Sequence, residues 1–307
     1  MELKNFDEML EMVPKGERPR RVVLAGADGE NALKGIFAAQ EAGFAQPVLV
    51  GDRARTIAEL EKLGLEKRPY TMVDTAPGQD VAAAAINVIH CGEGDILMRG
   101  NMLARDFLIP VVDSKNGLRD GKRIMSHVCI ASMDCYPKLL ALADMAVIIR
   151  PDMSKKRAII QNTVEALNVL GYEKPKLALL ALIERGTFHM QDTVDAQSLE
   201  YQHRRRPLAD CEIWGPISYD LIMSKEAAAR KRYHCEWTGG GFDAIIAPEV
   251  TTANTLVKSW MVHTNPQICG AVMGAKVPIA FTSRASSERN MFLSIAFCTI
   301  LEKYGKN

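Results

Sequence analysis

Three places in this 307-residue chain set side chains where chemistry would need them. The first is the turn Thr282-Ser283-Arg284, which follows the apolar run Ile279-Ala280-Phe281 and precedes a long helical stretch. A hydroxyl beside a guanidinium, ahead of a helix amino terminus with free N–H groups and a positive dipole end, suits a phosphate or a developing oxyanion. Ser286 and Ser287 add hydroxyls, and Arg284 is a forked, permanently charged donor. A plainer account fits equally: Ser286 or Ser287 caps the helix and Arg284 is a solvated surface cation. Sequence alone leaves both open. The second place is Met98-Arg99-Gly100, directly after the strand-like run 95–98. The third pairs Asn254 with Lys258, four apart and hence on one helical face, after a run that ends at Pro248.

What must position these groups is an α/β scaffold. Short apolar runs alternate with longer amphipathic ones along the whole chain, the pattern of mainly parallel sheets covered by helices. Strands are predicted over 21–26, 47–50, 95–98, 124–130, 145–149, 177–183, 243–247, 268–272 and 278–282. Helices are predicted over 29–42, 81–90, 154–170, 225–231, 252–262 and 286–303. In an open α/β sheet ligands gather outside the carboxyl ends of the strands, which is where Arg99 and the Ser283 turn fall. A polar, glycine-bearing segment, GLRDGKR, lies before residue 125 and marks a domain change there.

Composition narrows the function. With 38 basic and 37 acidic residues the formal charge is +1, so no long-range field gathers nucleic acid or anionic lipid, and a bound anion must be held locally. At 48% hydrophobic residues the chain can build a large core or two lobes. The charged opening MELKNFDEMLEMVPKGERPRR is unlike a secretory signal, and no apolar run approaches the length of a membrane span; a cytoplasmic protein is expected. The seven scattered cysteines form no C-x-x-C pair and read as reduced, mostly buried thiols, with no metal site expected. Trp237-Thr238-Gly239-Gly240-Gly241 precedes a strand, so it is no dinucleotide fingerprint and is expected to be a flexible connection. The basic run Tyr201-Gln202-His203-Arg204-Arg205-Arg206 fits a solvated face better than a grip on phosphates.

Several segments together resemble one family. GAKVPIAFTSRASSERNMFLSIA resembles the closing motif of the phosphate acetyl/butyryltransferase family, G-A-K-x-P-I followed by a strand, T/S-S-R-A and a helix. GDILMRGN is similar to its D-I-L-M-K-G segment, and GLRDGKRIMSHV to its G-L-R-T-G-x-x-x-S-H-V. ALADMAVIIRPDMSKKRAIIQN, GPISYDLIMSKEAA and FDAIIAPEVTTANTLVKS resemble further family stretches, so the likeness runs over residues 20–300. It implies two α/β lobes with isocitrate/isopropylmalate dehydrogenase-like architecture, 1–125 plus 276–307 and 126–275, an active site in the cleft between them, and a homodimer or higher homo-oligomer. The implied activity exchanges a short acyl group between coenzyme A and inorganic phosphate by direct attack, with coenzyme A as substrate and no tightly bound cofactor. The resemblance carries over Ser283 and Arg284 as catalytic residues, and Arg99, Gly100, His127, Glu184, Asn254, Lys258 and Lys276 as substrate-binding ones. His127 equally fits a satisfied core histidine.

Departures from the pattern bear on the base that would take the coenzyme A thiol proton. Where the acetyltransferase branch has an aspartate seven residues after the motif serine, this chain has Asn290; where butyryltransferases have one three residues after it, it has Ser286. Glu288 is the nearest carboxylate and the candidate to replace them, with Glu184 second and a solvated first-turn acid as the plainer reading of Glu288. Two rival functions stand beside the transferase. A metal- and nicotinamide-dependent decarboxylating dehydrogenase would need clustered aspartates, which are not seen. A non-catalytic or divergent acyl-CoA-binding paralogue would account for Ser286 and Asn290.

Overall fold

In the computed structural model, which describes residues 2–305, the strands in chain order are β1 (Arg20–Ala25), β2 (Ala45–Gly51), β3 (Thr71–Asp74), β4 (Ile96–Arg99), β5 (Ser126–Ser132), β6 (Leu140–Ala143), β7 (Lys176–Leu180), β8 (Glu212–Ile217), β9 (Ala244–Ile246), β10 (Gln267–Met273) and β11 (Ile279–Ala280). The helices are α1 (Phe6–Glu11), α2 (Glu30–Glu41), α3 (Arg53–Leu63), α4 (Val81–His90), α5 (Ala104–Val112), α6 (Met153–Val169), α7 (Gln191–Arg205), α8 (Tyr219–Met223), α9 (Lys225–Lys231), α10 (Val250–His263) and α11 (Glu288–Tyr304). The mainly parallel α/β class expected from the alternating pattern is what forms.

Two compact units result. The first consists of residues 2–9 and Ile124–Ile268, the second of Leu10–Arg123 and residues 269–305. These bounds differ from the sequence expectation at two places, each with a local cause. Leu3 donates its amide to the Tyr172 hydroxyl and accepts from Leu139, so the amino terminus is stitched to the first unit. β10 pairs antiparallel with β11, Ala271 opposite Ala280, which draws residues 269–275 into the second.

Within the second unit the strand order is β3-β2-β1-β4-β11-β10, parallel except for the last pair. β1, β2, β4 and β11 therefore all deliver their carboxyl ends to one edge. α11 packs on α2, and it is buried on nearly every side, from Met291 through Phe297 to Leu301, which makes it a core helix rather than an amphipathic one. α2 can approach it because Gly35 has no side chain: a Cβ there would lie 2.6 Å from the Met291 Cβ.

In the first unit the order is β5-β6-β9-β7-β8, with β5 antiparallel to β6 and the rest parallel. The strand predicted over 145–149 is instead a loop, and the strand is Leu140–Ala143 just before it. Asp144 is the cause. Its buried carboxylate accepts from the amides of Ala146 (2.8 Å), Val147 (3.0 Å) and Ile148 (2.9 Å), which are then unavailable to a ladder. Burial raises the Asp144 pKa, against the pull of these amides.

The glycine turn Gly239–Gly241 is packed rather than flexible. Gly239 and Gly240 donate their amides to Leu221 and Ile222, and a Cβ on Gly241 would stand 2.6 Å from Trp237. The basic run at the end of α7 is a paired surface: Arg204 bridges Glu200 at 2.8 Å and Arg205 lies over Tyr201. His203 is turned inward, its ring bonding the Cys211 carbonyl and the Leu208 amide.

Candidate active site

At the carboxyl edge of the second unit, β4 ends in Arg99 and Gly100. The Gly100 amide donates to Ala25 and the Asn101 amide to Gly26, which press the turn after β4 onto the turn after β1. Only glycine fits at 100, since a Cβ would lie 2.3 Å from the Gly26 carbonyl oxygen. The Arg99 side chain folds back inside. Its Nη1 donates to the Thr282 carbonyl at 2.8 Å, Nε and Nη2 donate to Met102 at 3.1 and 2.8 Å, and the guanidinium lies 5.0 Å from the Phe281 ring centre. One guanidinium thus ties the end of β4 to the end of β11.

Arg99 is only 6% exposed, yet no carboxylate among the described residues comes within 4.0 Å of it or of Arg284. Burial, and then the neighbouring Arg284 charge, push the Arg99 pKa down to about 10. Two cations close together without a counter-charge are what a local anion site requires. Above Arg99, Ser283 and Arg284 are exposed on a tight turn closed by the Ser286 amide donating to the Ser283 carbonyl at 3.0 Å. The Ser283 hydroxyl oxygen accepts from the Ala285 amide at 3.3 Å, which leaves its proton for a ligand oxygen.

The helix after this turn begins two residues later than predicted. Ser287 caps α11 by accepting from Asn290, as the plainer reading had it, and buried Ser286 accepts on its carbonyl from the Asn31 side chain. Glu288 then faces α2: it lines a hollow of about 640 Å³ with Ala38, Arg289 and Phe292, and Lys34 is a cation that feels its charge. The structure does not bring Glu288 to Arg99. Lys276 is exposed at the amino end of β11, its amide donating to Leu118, and is likewise apart from the turn at the other end of that strand.

The first unit gathers the remaining residues at its own carboxyl edge. His127, buried near the start of β5, stands one residue before the pair Val128 and Ala143, and its amide donates to Asp144. Glu184 follows β7 and accepts a short hydrogen bond from the Ser218 hydroxyl at the end of β8. Lys231 closes this cluster, 3.3 Å from Glu184 and 3.0 Å from Asp220. Asn254, half-buried, and Lys258, exposed, share a face of α10, whose first amide, Val250, donates to Ile149. Sequence reasoning passed over Ser218, Asp220 and Lys231. The signal was present in GPISYD, an apolar run ending in a hydroxyl and an acid, the same grammar as the Ser283 turn.

Residues 72–299 match the model of the family described as phosphate acetyl/butaryl transferase. The chain belongs to that family. A phosphate butyryltransferase of Clostridium beijerinckii is 31% identical over 99% of both chains, and a phosphate acetyltransferase of Thermotoga maritima is 29% identical over 96% of this chain and 99% of that one. Among solved structures, a branched-chain phosphotransacylase from Enterococcus faecalis V583 matches with a TM-score of 0.79 at 27% identity, over 93% of this chain and 99% of that one. Both relatives are transferases by name, and the family resemblance read from the motifs holds. The matched span of this phosphate acyltransferase family includes every residue placed above at the two carboxyl edges except those of the β1 turn. No helix among the described residues is long and apolar enough to cross a membrane, and no group of three His, Cys, Asp or Glu among them is arranged to hold a metal ion.

Proposed function

We propose that this family member transfers a short acyl group between coenzyme A and inorganic phosphate, with butyryl-CoA as the thioester to try first. A phosphate oxygen attacks the thioester carbonyl carbon, the C–S bond breaks, and acyl phosphate and coenzyme A leave; no acyl-enzyme forms. The observation that carries this reading is the pair of guanidiniums, Arg99 buried and Arg284 exposed, without a carboxylate beside either. Phosphate held there is relieved of repulsion from the phosphates of its partner, and the Ser283 hydroxyl is free to donate to the carbonyl oxygen as it gains charge. We read the protein further as a cytoplasmic homo-oligomer without a resident cofactor, in keeping with its scattered free thiols.

The test is release of thiol from butyryl-CoA by the purified protein with and without phosphate, alongside Ser283→Ala. Release that requires phosphate, and falls at least about tenfold in kcat in the variant with KM little changed, supports the reading. Binding without turnover would favour the non-catalytic paralogue instead, and unaltered turnover in the variant would remove Ser283 from the chemistry.

A further inference from the structure

Within the first unit, three aromatic rings and one acid surround a hollow of their own. Trp214 lies on β8, the edge strand, and Tyr233 and Trp237 lie in the segment after α9. With His234, Cys235 and Glu236 they line about 520 Å³, a size that takes a small molecule. The two indole planes stand at 85° with their centres 6.0 Å apart, so they make a corner. Tyr233 is fixed beside that corner, its hydroxyl accepting from the Trp214 N–H at 2.7 Å.

The walls are held from behind. Trp237 meets the fully buried Phe242 edge to face at 5.8 Å, and its carbonyl accepts from the Gly241 amide at 3.0 Å. Thr238 donates its amide to the Cys235 carbonyl at 3.3 Å, which closes the turn between the lining residues and the glycines. Nothing in this corner has to be ordered when a ligand arrives.

Charge says what kind of ligand fits. Among the six lining residues there is no lysine or arginine, and Glu236 is the one carboxylate. Glu236 is exposed and has no cationic side chain within 4.0 Å among the described residues. Burial raises the Tyr233 pKa against the Trp214 hydrogen bond, with Glu184 and Glu200 adding to the rise, so the phenol stays neutral in surroundings that lean negative. Arg232, the neighbour of Tyr233, is exposed and does not line the hollow. An anion would meet the negative faces of the rings and the Glu236 carboxylate together. A cation without N–H groups, too weakly hydrated to prefer water, is attracted by both.

We infer that this hollow binds a small organic quaternary ammonium ion. The inference does not depend on acyl transfer, and its test needs no turnover. The purified full chain is titrated with choline and with 3,3-dimethyl-1-butanol, which has the same shape without the charge, at constant ionic strength. Binding is read by NMR saturation transfer to the methyl groups of either probe. Choline is expected to bind with a Kd on the order of millimolar and the neutral probe at least about tenfold more weakly. The Kd for choline is expected to rise about tenfold in Trp237→Leu and about threefold in Glu236→Gln. A rise in either variant, with choline preferred by the wild type, upholds the site. Equal affinity for the two probes, no binding of choline up to tens of millimolar, or a Kd unaltered in both variants overturns it. Should Trp237→Leu fail to fold, Glu236→Gln alone decides, since its side chain is exposed and only its charge is removed.

Discussion

Arg99 is a cation that the fold buries without a counter-charge, directing three of its N–H groups to the carbonyls of Thr282 and Met102 instead. Carbonyl dipoles compensate a guanidinium only in part, and the Arg284 charge works against it, so a bound anion should stabilise the folded chain. Inorganic phosphate at about a hundredfold its dissociation constant is worth about 2.7 kcal/mol by mass action, a shift thermal melting can read. We expect phosphate to raise Tm in the wild type and to lose most of that effect in Arg284→Ala, whose Tm without phosphate should be no lower than wild type. Equal shifts in the two proteins would remove Arg284 from the anion site. At this scale much was legible: a hydroxyl and a guanidinium after a strand announce themselves in Ser283 and Arg284. What was not legible is which way a side chain leaves its element. Ser287 takes the capping position and leaves Glu288 against α2, and two strand residues suffice to set Lys276 apart from a turn that shares its motif.

Gly35 shows how an element is specified by a residue that looks unfavourable in it. Glycine inside a helix costs about 1 kcal/mol relative to alanine, so Gly35→Ala would stabilise α2 if propensity decided. Contact with α11 decides instead, because the new methyl group would meet the Met291 Cβ at 2.6 Å and backbone atoms of α11 at 3.1 and 3.2 Å. A loss of about 1–3 kcal/mol is expected, measured by urea unfolding. A gain in stability would show that the helices can part at no cost. The strands teach a related lesson. Residues 139–143 and 145–149 are equally apolar, and periodicity cannot rank them. The choice falls to Asp144, whose carboxylate collects the amides of the second run. β3 and β8, with exposed or interrupted patterns, gave no signal strong enough to be predicted.

For the molecule as a whole, one acid-sensitive tie lies at the start of the second unit's central strands. Asp95 lies where β1 and β4 begin and accepts from the Arg21 amide at 2.8 Å, from the Arg21 guanidinium at 2.7 Å and from Arg18 at 3.1 Å. Burial alone would raise its pKa; Arg21, through side chain and amide, outweighs that and holds it below the usual carboxylate range. A depressed folded pKa means that the stabilisation is fully present above the ordinary value of about 3.9 and is lost as pH falls through the lower folded value. Asp95→Asn should therefore melt below wild type at pH 7, and the gap should close towards pH 3. A gap of constant size across that range would exclude this linkage.

The path of the chain adds a last consequence. It starts in one unit, builds most of the other, returns to finish the first, and supplies β10, β11 and α11 only at the end. On a ribosome, then, the portion made earliest must wait, its β4 flank bare, until the final forty or so residues emerge, while the portion encoded in the middle already has all its strands. Order of synthesis and order of completion are reversed in this protein, and the open flank is where a nascent chain would most need shielding.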